Sequence, residues 1–444
     1  MACSAVRAPL LRNTTVRHYA AAAAATQSAP AQNLDIQVLS NKITVATLDN
    51  DSPVTQVSVI FKAGPRNETY ETQGTSHVLR LAAGLTTNRS SAFGITRNIQ
   101  QIGGNLTATT DRESIAYTLQ CTRDKLDVGL KFLEDVATRQ VFKPWELNDQ
   151  IPRLRYELSS IPETTRIVEL LHKAAYRKGL GYSLYSPKQR IGKIGTENLQ
   201  HFVNTWFTGP RCAVVATGVS QEQLNKFASQ LQVGSSESSG EPARYFGGEL
   251  RKERSSSLAT VAVAVEGAGL NKEKEAIAFA ILQRAAGTGP HVKWGSTSAP
   301  LYRTVATAAG KDPFAVSALN ASYSDSGIFG FILTAPGNIA GTLTTAASKW
   351  LLKPSVTDAD ISRGKAELKA AVLYATDNSV ARHESLAQQA LFKGTVASPS
   401  AIIAEIEKVS AADVKNVAAK IGKGKLSMAG IGDLDTVPYV EELK

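Results

Sequence analysis

His77, Arg80 and Leu81 stand at the three positions of a His-x-x-Glu-His zinc motif, within Gly74-Thr75-Ser76-His77-Val78-Leu79-Arg80-Leu81. On a helix, positions i, i+3 and i+4 share one face, so two His can hold zinc while the Glu activates its bound water. Here the first His is present as His77, Arg80 takes the Glu position, and Leu81 takes that of the second His. Leu has no donor atom, and a guanidinium is permanently cationic and repels a divalent metal. The stretch reads as the relic of a metal site.

No other cluster restores the chemistry. His18, His172, His201, His291 and His383 each lack a second His three or four residues away. His383-Glu384 begins as His-Glu-x-x-His does, but Ala387 occupies the second His position. Neither a Gly-x-Ser-x-Gly elbow nor a P-loop Gly-Lys-Ser/Thr is present. Cys3, Cys121 and Cys212 form no paired spacing, which excludes a disulfide framework, a zinc cluster and an iron–sulfur set and suits a reducing compartment. The expectation is a protein with no catalytic residues, no metal and no cofactor.

The elements around the relic must position it. The apolar strand Val57–Gly64 precedes the motif; Ser91-Ala92-Phe93 and Ile102-Gly103-Gly104-Asn105-Leu106-Thr107-Ala108 follow, and then the alternating strand Ser114–Leu119. This order resembles the pitrilysin/insulysin-type zinc peptidases: strand, motif helix, a helix ending in Gly-Gly, then two strands. In active members a further Glu ligand lies one helical hairpin downstream, and the resemblance assigns that place to Glu157 in Arg155-Tyr156-Glu157-Leu158. His77 and Glu157 offer two ligands where a catalytic zinc needs three and an open position.

The chain also repeats itself. Val57–Gly64 has a counterpart in Val261–Ala268 at an offset of 204, and Ile194–Leu199 corresponds to Val409–Val414 at an offset of 215. In the latter, Ser410 reads as a helix N-cap flanked by a Val409/Val414 hydrophobic staple. Closing strands follow at Cys212–Ala216 and Leu426–Ala429. A period of a little over 200 residues implies two homologous domains. The polar run from Gly234 to Pro242 separates them by composition. Long helical runs at Asp124–Gln140, Trp145–Ser160, Asp358–Ala375 and Ser379–Lys393, segregated from the strands, argue α+β. The family's fold, a mixed β-sheet with helices on one face, fits that reading. The expected division is residues 34–233 for an N-terminal peptidase-like domain, 234–243 for a linker and 244–444 for a C-terminal one.

Residues 1–34 carry Arg7, Arg12, Arg17 and His18 with no acid before Asp35. An Arg-rich, acid-free opening without a continuous apolar core reads as a mitochondrial transit peptide. Arg17, Tyr19 and Ala20 form an Arg-x-Tyr-Ala junction, so residues 1–19 are expected to be removed and 20–33 to form a leader. Removing the leader's three Arg takes the 49 basic residues to 46 against 39 acidic ones, a net charge near +7. No nucleic-acid signature accompanies that charge, and no apolar run approaches the 18 or more residues that cross a bilayer.

The family has non-catalytic branches: processing-peptidase alpha subunits and the core proteins of the mitochondrial cytochrome bc1 complex. The alpha subunits carry a dense Gly-rich loop that handles presequences. Here the matching stretch, Ala286-Gly287-Thr288-Gly289-Pro290-His291-Val292-Lys293-Trp294-Gly295, has three Gly and one Pro, which points to the core-protein branch. Asn320–Phe329 is common to the wider family and separates the branches poorly. Resemblance to a core protein implies a scaffold on the matrix side of the inner membrane. It would pair with a homologous core subunit beside cytochrome b, cytochrome c1 and the Rieske protein, without a small-molecule substrate of its own.

Overall fold

The computed structural model describes residues 33–289 and 298–443. Eleven strands form two sheets: β1 (Asn33–Val38), β2 (Thr44–Asp49), β3 (Val54–Phe61), β4 (Asn105–Thr110), β5 (Ile115–Thr122) and β6 (Cys212–Thr217) in the first, β7 (Gly248–Glu253), β8 (Leu258–Glu266), β9 (Ala315–Ser322), β10 (Gly327–Pro336) and β11 (Ser427–Gly432) in the second. Their orders are β1-β2-β6-β3-β5-β4 and β7-β11-β8-β10-β9. In each, one parallel pair (β2–β6 and β7–β11) sits in an otherwise antiparallel sheet. Strand for strand, β7-β11-β8-β10-β9 repeats β2-β6-β3-β5-β4, and among the described residues β1 has no counterpart. The duplication read from sequence is thus a duplication of sheet topology, and the α+β class follows.

The first half also carries α1 (Thr75–Ala82), α2 (Ala92–Gln101), α3 (Leu126–Thr138), α4 (Pro144–Asp149), α5 (Ile151–Ser160), α6 (Glu163–Tyr176), α7 (Thr196–Trp206) and α8 (Gln221–Gln230). The second carries α9 (Glu273–Ala286), α10 (Pro300–Ala309), α11 (Gly337–Leu352), α12 (Asp358–Asp377), α13 (Ser379–Lys393), α14 (Pro399–Lys408) and α15 (Ala411–Ile421). The run expected over Trp145–Ser160 is two helices, because Pro152 supplies no N–H and starts α5 afresh after Gln150. Ser410 caps α15 by a reciprocal pair of bonds with Asp413. At the matching end of α7, Gly195 has no side chain to contribute, and only the return bond from its N–H to Asn198 forms.

Strand alternation explains the layers. In β3, Val57, Val59 and Phe61 face the first half's own helices; in β8, Val261, Val263 and Val265 do the same in the second half. The opposite faces are buried as well, by a helix from the other half. Helix α13 lays Leu386, Ala387, Ala390 and Leu391 on Ala46, Leu48, Ile60, Ala213 and Val215 of the first sheet. Helix α6 lays Ile167, Leu171, Ala175 and Tyr176 on Ala262, Ala264, Ile328, Ala429 and Ile431 of the second. The small Ala side chains let each helix approach closely. Each half's own helices therefore cover one face, as the family fold implies, and a borrowed helix covers the other.

Both borrowed helices carry a buried histidine. Nε2 of His383 lies 2.7 Å from Ser58 Oγ and Nδ1 lies 3.0 Å from Thr217 Oγ1. His172 bonds the Val168 carbonyl through Nδ1 at 2.7 Å and Tyr323 Oη through Nε2 at 2.7 Å. Hydroxyls can donate or accept, so a neutral ring is satisfied at both nitrogens.

The polar run 234–243 has no regular structure, yet it is tied down. Lys42 pairs with Glu237, Arg211 donates to the Ser238 carbonyl, and Arg66 donates to that of Glu241. The halves also meet through Arg66, which bonds Glu113 at 2.5 Å and both carboxylate oxygens of Asp325 at 2.8 and 2.5 Å. Glu113 in turn accepts from the Ser324 N–H and Oγ. The Asn320–Phe329 motif is therefore a docking corner between the halves.

Burial holds His383 neutral and lowers its pKa to about 4. In the unfolded chain it titrates near 6.5, so the unfolded state binds more protons between those values. Stability should fall as pH drops from about 6.5 toward 4, by about 3 kcal/mol from this group. Urea midpoints for wild type and His383→Gln, taken near neutrality and at the lower end of that window, check this. Wild type should lose more stability on acidification than the variant, and parallel losses would contradict the assignment.

Candidate functional site: a metal-site relic closed by an ion pair

The loop before α1 sets up the site. Gly74 takes φ 95°, and a Cβ there would fall 2.5 Å from Ser186 Oγ. Glycine's freedom at positive φ thus lets the 182–187 segment close over the start of the helix. Glu68 accepts from the Gly74 N–H at 2.8 Å and the Ser76 N–H at 2.7 Å, capping the helix with a carboxyl. Burial pushes the Glu68 pKa up to about 7, against the opposing pull of those N–H groups.

His77, on α1, is buried beneath this loop. The Ser186 N–H donates to its Nδ1 at 3.1 Å. That fixes the tautomer: the ring proton is on Nε2, which donates to Glu157 Oε2 at 3.0 Å. Burial, with the Arg80 charge behind it, lowers the His77 pKa below its ordinary value despite the pull of Glu157. The nitrogen that would face a metal therefore carries a proton.

Arg80 lies one turn along the same face, and its guanidinium bonds the same Glu157 oxygen. Arg153 approaches the other oxygen at 3.5 Å from within α5. Burial raises the Glu157 pKa, but the bonds from His77 and Arg80 outweigh it and hold the carboxyl below its usual range. The structure therefore brings His77, Arg80 and Glu157 together. Leu81, at the second His position, is buried as a member of the hydrophobic core with Val78, Leu79 and Ala82.

This donor set does not fit zinc. One ligand position is a core leucine, the base position is a cation bonded to the Glu157 carboxylate, and the His nitrogen donates rather than accepts. Among the described residues no group of three or more His, Cys, Asp or Glu is arranged to hold a metal ion. The arrangement can neutralise and orient charge and join α1 to α5; it has no group to activate water.

His383, which begins the other His-Glu pattern, is the interior residue already described on α13. Arg17, Tyr19 and Ala20 lie outside the described residues, as do His18 and the Pro290–Gly295 part of the Gly-poor loop. Sequence reasoning did not single out Glu68, Ser186 or Arg153. The i,i+4 spacing of Arg153 and Glu157 was a readable signal for the last; the other two depend on a loop closure that has no local signature.

Comparison with known proteins bears on this geometry. The profile of the insulinase family, peptidase family M16, matches residues 44–188, and that of the peptidase M16 inactive domain matches 193–368. Over 432 residues the chain is 40% identical to human "Cytochrome b-c1 complex subunit 2, mitochondrial", covering 95% of each chain. The rat protein of the same name is 37% identical, over 93% of this chain and 92% of its own. The alpha subunit of the mitochondrial-processing peptidase of Solanum tuberosum is 28% identical, over 91% of this chain and 82% of its own.

The purified chain should retain no stoichiometric zinc and cleave no peptide. Arg80→Glu with Leu81→His should create a zinc site, because two carboxylates and two imidazoles would then converge. Zinc should raise the melting temperature of that double variant and leave wild type unchanged. Metal analysis showing one tightly held zinc in wild type, lost on His77→Ala, would overturn the reading.

Proposed function

Because the chain belongs to the insulinase family, peptidase family M16, as a non-catalytic member, we propose that it is the non-redox core scaffold subunit of ubiquinol–cytochrome c reductase, respiratory complex III. The observation that carries the loss of catalysis is the Arg80–Glu157 pair: a fixed guanidinium stands against the carboxylate that would face a metal. Identity separates the branches, at 40% to a bc1 subunit 2 against 28% to a processing-peptidase alpha subunit. The chain supplies assembly and stability; electron transfer from ubiquinol to cytochrome c belongs to the redox subunits.

The proposal extends to place and partners. We put the subunit at the matrix face of the inner membrane, paired with a homologous core subunit and neighbouring cytochrome b, cytochrome c1 and the Rieske protein. No helix among the described residues is long and apolar enough to cross a membrane, which agrees with peripheral attachment. The division into peptidase-like domains at 34–233 and 244–444 belongs to the same reading, supported by the repeated strand order.

Deleting the subunit should remove assembled complex, so that cytochrome b haem, cytochrome c1 haem and quinol oxidation fall together. A full complement of mature complex with normal turnover would refute the scaffold role. Mitochondria-wide accumulation of uncleaved precursors, with the complex lost only later, would favour a presequence-binding alpha subunit instead.

A further inference from the structure

The two sheets differ in one respect: β1 pairs with the outer edge of β2, whereas among the described residues no strand pairs with the outer edge of its counterpart β7, where the 437–440 segment meets only the Glu249 and Arg251 side chains. In β7, the Gly248 and Arg254 N–H groups bond the Leu426 and Gly432 carbonyls on the β11 side. Backbone groups alternate along a strand, so the N–H and C=O of Glu249, Arg251 and Glu253 point away from the sheet. Among the described residues these groups have no hydrogen-bond partner, and the strand is half-buried at its start and exposed at Lys252 and Glu253. An edge of this kind is a template for one more strand.

Charge says what that strand is. On the face that β7 turns toward α6, Lys252 lies in the field of Arg254, Arg166 and Lys188; burial and those three cations lower its pKa. Among the described residues none of the four has a carboxylate partner: Arg166 donates to the carbonyls of Leu158, Ser159 and Ile161. The nearby acids lie on the strand's other face, where Glu249 is paired with Arg251 and Glu253 is exposed. The chain's own first 34 residues contain no acid and three Arg, so they are electrostatically mismatched. Two copies joined β7 to β7 would set two such cation clusters against each other.

We propose that the β7 edge receives an extended acidic segment of a partner polypeptide, running antiparallel to β7 as β1 runs to β2, with acidic side chains at alternate positions toward Lys252, Arg254, Arg166 and Lys188. Backbone bonds to residues 249, 251 and 253 would supply register, and the cations would supply selectivity.

The test uses the purified full chain and a synthetic peptide in which Glu alternates with Val and Thr, so it does not depend on the complex III reading. Hydrogen exchange at Glu249, Arg251 and Glu253 should slow at least about tenfold on saturation with peptide, while the inward amides of Leu250 and Lys252 change little. Lys252→Glu with Arg254→Glu should weaken peptide binding at least about tenfold. Glu253→Pro, which removes only an outward N–H and leaves the β11 bonds intact, should weaken it independently. Several results would overturn the proposal: binding that charge reversal abolishes but that leaves the outward amides unprotected, equal binding of a Lys-for-Glu peptide, competition by a peptide of residues 20–32, or protection that rises with concentration of the chain alone. Binding to phosphatidylserine vesicles in place of the peptide would also overturn it, by making the patch a lipid contact.

Discussion

The structure depends on an exchange of helices between its halves. Each sheet has two apolar faces, and each half supplies helices for only one of them. The other face is closed by α13 on the first sheet and by α6 on the second. Burying a Leu or Ile contributes about 1.5–3 kcal/mol, and each exchanged helix brings two large aliphatic side chains to its seam. Losing either helix would remove an amount comparable with the few kcal/mol by which domains are stable. The Arg66–Glu113–Asp325 cluster adds direction: half-buried ion pairs contribute modestly to stability, but they select one docking geometry.

The His77 site is held together by charge rather than by metal chemistry. The partly buried Glu157 carboxylate needs a counter-charge. Arg80 supplies it from the helix itself, and the neutral His77 ring donates its proton to the same oxygen. The site has become a clasp between α1 and α5, roofed by the Ser186 loop.

Much of this was legible in the sequence, and for physical reasons. The His77, Arg80 and Leu81 spacing named both the family and the loss, because helical geometry and metal coordination are local rules. The duplication showed in β3 and β8, whose alternation repeats at a fixed offset. The helix exchange was not legible. Gln56, Ser58 and Ile60 on β3 look half polar, and nothing local says that a histidine more than 300 residues away satisfies Ser58. Ala262 and Ala264 were readable as a close-approach surface, though not as the seat of α6. The break at Pro152 was legible and argues against reading one helix through Trp145–Ser160. The docking role of Ser324 and Asp325 within Asn320–Phe329 had no local signal, because their partners Arg66 and Glu113 lie more than 200 residues away.

Expressing residues 33–233 and 244–444 separately and together, and following their unfolding by urea with calorimetry, tests the exchange most directly. Neither half alone should unfold cooperatively, since each would expose a bare sheet face and an unseated helix, and mixing the two should restore a single transition. If residues 33–233 alone unfold cooperatively with the stability of the full chain, the exchanged helices are dispensable decoration and the account of the fold as one interlocked body is wrong.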